Sequence, residues 1–284
     1  MSTIVKNIHI FKDGAWHPIK KVFKDSAWRT MKGIFYEGVW YEIGASCVVM
    51  PKGCAIATNE HPRWNENTTH YGTNNFKVNA LPSGGRNSFG TFYNVGNNGY
   101  LWSSTEYTTS TAWSRTIAYS SILGYYDNRE AGFSVRCIKD YTGVQPNGTI
   151  ITNDYTDGDG NKYDVVVIGE QLWTVKNLYT TKYQDGTNIP NVTDNNDWRY
   201  LTTGAYCWYN NDYETYGQHY GALYNWYAMD GLVNNNGYRV PSNADWIQLT
   251  DYLIGTTWCN GVVVTADNVA QYLKSCRQVN HPLA

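Results

Sequence analysis

Between Ala80 and Asp140 the chain alternates two kinds of sequence, and no other feature constrains its fold more. Gly84-Gly85-Arg86-Asn87, Trp102-Ser103-Ser104-Thr105-Glu106 and Gly132-Phe133-Ser134-Val135-Arg136-Cys137 read as framework. The runs between them are built almost wholly from Tyr, Asn, Ser, Gly and Thr. Antibody-type binding loops favour that mixture, because Tyr gives rigid amphipathic contact area while Ser, Gly and Asn give adaptable hydrogen bonds. The pattern predicts a folded frame carrying a contact surface, and a protein that binds rather than catalyses.

The totals exclude several classes. The 22 basic and 24 acidic side chains leave a net charge of −2, so no basic field exists to hold a phosphate backbone and nucleic acid is not expected as a partner. Charged residues make up 16% and aromatics 15% of the chain, which is the reverse of a disordered composition and suits a β-rich protein. No signal-peptide pattern or membrane-spanning stretch is read from the sequence. Cys47, Cys54, Cys137, Cys207, Cys259 and Cys276 form no CxxC pair, and no zinc spacing emerges. Mostly reduced, buried thiols are expected, with three disulfides as the alternative for an exported chain.

Residues 11–43 carry a short repeat. Phe11-Lys12-Asp13-Gly14-Ala15-Trp16 recurs from Phe23 to Trp28 and from Phe35 to Trp40, so Trp16, Trp28 and Trp40 fall at a period of twelve. The Asp-Gly, Asp-Ser and Glu-Gly pairs are turn signals between short β-prone runs. Residues 1–45 therefore read as a small β-repeat module, too small to bury a core alone. It is expected to pack on copies in a homo-oligomer or dock on a larger assembly; the alternative is a β extension of the main domain. Repeats of this kind resemble those at the start of some phage structural proteins.

Residues 46–284 form the main domain. Strands are predicted at Thr91–Tyr93 and Tyr100–Trp102 around Gly96–Gly99, then at Ala112–Ser120 and Gly132–Ile138. Residues 141–160 read as a connector, followed by strands at Lys162–Ile168 and Gln171–Val175. Helices are predicted at Gly221–Met229, from Ser242 as N-cap to Leu253 with Asp245 in a capping box, and from Ala266 to Lys274 with Thr265 as N-cap. Trp246, Leu249, Thr250 and Leu253 share one helical face and should be core.

Several motifs resemble the Fibrobacter succinogenes major paralogous domain. They are Tyr206–Asp212, Tyr220–Ala228 and Arg239-Val240-Pro241-Ser242, together with Leu81-Pro82, Gly84–Asn87, Trp102–Glu106 and Gly132–Asp140. The resemblance covers about residues 55–284 and implies an α+β, C-type-lectin-like fold of the formylglycine-enzyme subtype. In that family the part resembling 155–284 comes first and the part resembling 60–140 comes last. Here the halves are exchanged, as in a circular permutation, which neighbouring termini permit. Closure within one chain is expected, with swapping between neighbours as the alternative. The family's Cys-Pro is replaced by Asn234-Asn235-Asn236-Gly237, so Cys137 loses the disulfide partner that the resemblance implies.

Little in the chain points to catalysis. The cysteine pair of the formylglycine-generating relatives is missing, and the six histidines lack a nucleophile or carboxylate at useful spacing. Glu106 sits in framework and is expected to satisfy buried backbone or Arg136 rather than act with Arg115 as an acid-base pair. Asp157-Gly158-Asp159-Gly160-Asn161 starts like a calcium loop but has Lys162 and Ile168 where that loop needs Gly and Glu, so a tight hairpin is expected. No cofactor or metal is expected. The candidate ligand-binding residues are Tyr93, Asn94, Asn97, Asn98, Tyr107, Tyr119, Tyr125, Tyr126, Asn128 and Arg129. In related lectin-like proteins retroelements diversify such a face, chiefly at asparagine codons. The expected function is a non-enzymatic adhesin on a phage virion, recognising a host-surface glycan or protein. It would be held to virion proteins by the repeats and assembled as a homo-oligomer, a trimer being favoured. A capsid decoration protein and a bacterial surface or secreted adhesin are the alternatives.

Overall fold

The computed structural model describes residues 61–256 and 263–279 in full, together with the backbone of five short strands before them. The chain divides into two compact units, Met1–Ser46 and Cys47–Ala284. In the first, β1 (His9–Lys12) pairs with β2 (Ala15–Pro18), and β3 (Ile34–Tyr36) pairs with β4 (Val39–Tyr41). Phe11 lies opposite Trp16 and Phe35 opposite Trp40, so two copies of the repeat adopt one register. Trp28 and its copy lie outside the described residues, as do the Trp16 and Trp40 side chains.

In the second unit β5 (Ile56–Ala57) precedes a five-stranded sheet. That sheet contains β6 (Ser83–Arg86), β7 (Phe92–Val95), β8 (Asn98–Glu106), β9 (Thr111–Ala118) and β10 (Ser121–Asn128), in spatial order β10-β9-β8-β6-β7. Gly96–Gly99 therefore does not close a hairpin, because β6 lies between β7 and β8. β6 itself needs its glycines: Gly84 has φ +62°, and a Cβ there would stand 2.5 Å from the Tyr93 carbonyl, a position only glycine fills without strain. β11 (Ile138–Asp140), β12 (Ile150–Thr156), β13 (Lys162–Ile168) and β14 (Gln171–Thr174) form a second, antiparallel sheet ordered β11-β14-β13-β12. β15 (Tyr206–Cys207) pairs with β16 (Leu223–Tyr224), and β17 (Gln278–Val279) pairs in parallel with β5.

Helix Asn243–Leu253 forms as expected, with Ser242 and Asp245 making a full capping box. Trp246, Leu249 and Leu253 are buried, while Thr250 is half-buried. Several expectations fail for tertiary reasons. Gly221–Met229 is not a helix: Leu223 and Tyr224 pair with β15 as β16, Tyr224 also exchanges backbone hydrogen bonds with Phe133, and a 3₁₀ turn follows at Trp226–Ala228. The helix expected from Ala266 is only Val269–Leu273, with Asn268 rather than Thr265 at its N-cap position and no side-chain cap. Gly132–Ser134 makes isolated bridges to three different strands rather than one ladder. The connector 141–160 contains β12, whose three central residues, Thr152, Asn153 and Asp154, leave the register of β13.

Both halves share an interior. Trp102, Phe133, Val135 and Cys137 pack with Tyr155, Val165, Leu172 and Tyr224. On the other side of the sheets Leu101, Ile117 and Ile138 pack with Val166, Trp173, Trp246 and Leu249. Two buried arginines from the framework motifs stitch the halves. Arg86 donates to the Val192, Thr193 and Asp194 carbonyls, and Arg136 to those of Val78, Asn79 and Thr174. Among the described residues no helix is long and apolar enough to cross a membrane.

Candidate binding site

The candidate residues do not form one rim. Successive strand residues face opposite sides of a sheet, and β10, an edge strand, separates Tyr125 from Tyr126. Tyr126 lies opposite Trp113 on β9, while Tyr125 lies opposite Ser114. On the Tyr126 side, Tyr107 stacks on Tyr126 at 4.3 Å and stands edge-on to Trp113 at 5.3 Å. Arg129 borders this stack, 4.5 Å over the Trp226 ring and 2.8 Å from Glu106. Glu106 is thus partnered by Arg129 and not by Arg136, whose donors go to Asn177 and three carbonyls. Since Glu106 is half exposed, the pair orients Arg129 more than it stabilises the fold.

On the opposite side a ladder of rings runs inward from Tyr93 through Tyr100 and Phe133 to Trp102. Tyr93 is half-buried in it, and burial, then Tyr100 and Asp127, raises its hydroxyl pKa. This candidate residue is therefore only partly open to solvent. Asn94 and Asn98 both donate to the Tyr100 hydroxyl, at 2.7 and 2.8 Å, so part of their polarity fixes the ladder. Asp127 accepts from Ser114 at 2.6 Å, and burial raises its carboxyl pKa. Asn128 donates to Ser88. Tyr125 remains exposed beside Asp127.

Asn97, Asn98 and Tyr119 converge elsewhere, at a cavity of about 60 Å³ that they line with Trp64, Asn65 and Lys274. Asn65 donates to Asn97 at 2.8 Å, fixing both amides. The Trp64 indole donates to the Ala80 carbonyl, and its ring faces the Lys274 ammonium at 4.2 Å. Lys274 is 3% exposed, and its Nζ donates to the carbonyls of His70 at 2.6 Å and Tyr119 at 2.9 Å. Burial pulls its pKa down to about 7. Tyr119 holds a left-handed backbone at φ 43°, and its ring, 68% exposed, stands edge-on to His70. In the sequence Trp64 and Asn65 lie in a polar stretch, and Lys274 ends the helix expected from Ala266. Nothing local brings them together; the long-range pairing of residues 273–279 with 64–80 does. A broader depression beside Tyr141 and Gly169 contains none of the candidate residues.

Asp157 and Asp159 hold turns together. Asp157 takes the backbone amides of Asp159 and Asn161 and the Tyr163 hydroxyl, which is a turn between β12 and β13. Asp159 accepts from Thr180 and Thr181. Among the described residues no group of three His, Cys, Asp or Glu side chains is placed to hold a metal ion. Cys137 and Cys207 are free and buried, with burial pushing the Cys207 thiol up to about 12 and Cys137 well above the usual range. Such thiols are poor nucleophiles. Cys276 is disulfide-bonded, while Cys47, Cys54 and Cys259 lie outside the described residues.

The family model of the Fibrobacter succinogenes major domain matches the chain over residues 6–139 and 166–282. No curated protein and no solved structure matches it.

Proposed function

The chain belongs to the Fibrobacter succinogenes major domain family, and from that premise we propose that it is an adhesin without catalytic activity. It serves as a head or tail fibre protein of a phage virion and binds a bacterial surface glycan or protein. The observation that carries the binding role is the cavity where Asn97, Asn98 and Tyr119 converge with Asn65, Trp64 and Lys274. Amides that both donate and accept, beside an exposed aromatic ring, suit a hydroxyl-rich ligand. The glycan is accordingly the favoured ligand. The fold is C-type-lectin-like with its halves circularly permuted. The two matched segments, the common interior and the pairing of β17 with β5 support that order. The Trp-repeat hairpins anchor the chain to the virion, and a trimer would multiply weak single-site affinity.

The test is a glycan array and whole-cell binding assay on the full chain, comparing wild type with Asn97→Ala/Tyr119→Ala. A loss of about tenfold or more in affinity at unchanged melting temperature is expected. Equal binding by the variant refutes the site. No binding by the wild type refutes the adhesin and points to a decoration protein without host ligand.

A further inference from the structure

We infer that the Trp64–Lys274 cavity takes the carboxylate of an acidic saccharide, with Lys274 as its counter-ion. The inference rests on the binding role proposed above and narrows its ligand. An ammonium has three donors, and Lys274 spends two on the His70 and Tyr119 carbonyls. The third is left for the cavity that the side chain lines. Its partners, two carbonyl oxygens and the Trp64 ring face, are dipoles and a quadrupole without net charge. They offset only part of the cost of holding a cation away from water. An anion entering the cavity removes that cost; a neutral group does not.

Size and surroundings define the rest of the ligand. At roughly 10–15 Å³ per water, about 60 Å³ holds a few waters or one carboxylate. A pyranose ring does not fit inside, so it must rest at the mouth, where the exposed ring of Tyr119 offers a face for sugar C–H groups. Asn65, Asn97 and Asn98 stand beside it for the hydroxyls. An acidic peptide would use Lys274 but bring fewer hydroxyls to the donor and acceptor positions those amides still offer. The ionisable side chains that line the cavity with Lys274 are Tyr119 and Glu66, and His70 lends Nζ its carbonyl. Glu66 opposes an anion, but it is exposed at the rim, where solvent and salt screen it. The buried ammonium acts at contact distance and dominates.

The experiment is calorimetric titration of the full chain with glucuronate, glucose and a short aspartate-containing peptide, at about pH 6 and about pH 9. Glucuronate is expected to bind about tenfold tighter than glucose at the lower pH. The preference should shrink as pH rises past the Lys274 pKa of about 7, because the neutral amine attracts no anion. Lys274→Met should abolish the preference, with near-ultraviolet dichroism reporting its fold, and Glu66→Gln should sharpen it a few-fold. If Lys274→Met does not fold, the wild-type pH profile decides. Equal affinity for glucuronate and glucose, or a preference that ignores pH, overturns the inference while leaving the binding role intact. Tighter binding of the peptide than of glucuronate overturns the saccharide. If none of the three binds, the inference fails, and the array separately decides the adhesin.

Discussion

Replacing Arg136 with Met should cost about 3–5 kcal/mol of stability, more than the same change at Arg86. Arg136 is almost wholly buried and donates to Asn177 Oδ1 at 2.6 Å and to the carbonyls of Val78, Thr174 and Asn79 at 2.8, 2.6 and 3.1 Å. Four charge-assisted bonds at roughly 1.5–3 kcal/mol each give a gross loss of about 6–12 kcal/mol. Against that stands relief from burying a guanidinium, several kcal/mol, a penalty visible in a pKa pulled down to about 9. The balance is about 3–5 kcal/mol, since the stranded acceptors at residues 78, 174 and 177 are buried and water cannot replace the donor. Arg86 has five acceptors, but those at 193–195 are exposed. Water takes over there, and about 2–3 kcal/mol is expected. Urea unfolding monitored by tryptophan fluorescence measures both. A cost below about 1 kcal/mol for Arg136→Met, or a larger cost for Arg86→Met, would refute the claim that burial of the acceptors sets the penalty.

Lys274 predicts a pH dependence. Its folded pKa of about 7 lies below the ordinary 10.5, so between those values the unfolded chain holds the extra proton and stability rises with pH. Chemical denaturation should show a gain of roughly 2–5 kcal/mol from pH 7 to pH 10, and Lys274→Met should flatten that part of the curve. Ser242→Ala removes one side of the capping box at Asn243–Leu253, and a loss of about 1 kcal/mol in urea unfolding is expected.

Local signals in the sequence were reliable where a structure is decided locally. The capping box at Ser242 and Asp245, the β13–β14 hairpin around Gly169-Glu170, and the Asp157–Asn161 turn depend on residues within a few positions of one another. They are found where the sequence places them. Gly221–Met229 carries helical spacing of apolar residues, yet the Phe133 backbone claims Tyr224, and a distant partner outweighs propensity. By composition β10 resembles a loop, because Tyr, Asn, Ser and Gly mark binding loops. On an edge strand the same residues alternate between two faces. That difference moves Tyr125 and Tyr126 apart and leaves Tyr107 and Tyr126 as a stack of their own. Composition suggests a contact surface, but only register says which residues share a face.

The cavity is made by the same contacts that close the domain. Trp64 donates its amide to the Arg277 carbonyl and accepts from Val279, while Ala80 receives the Ser275 amide and donates to the Leu273 carbonyl. Those four bonds carry Lys274 to its place beneath Trp64, between the His70 and Tyr119 carbonyls. Asn97 and Asn98, by contrast, are fixed by the turn into β8 and by Asn65. One wall therefore belongs to the five-stranded sheet and the other to the segment that follows Val269–Leu273. If that segment opened, the cation would leave while both sheets kept their ladders. If the cavity binds as proposed, a ligand touching both walls would also hold residues 274–279 against residues 64–80.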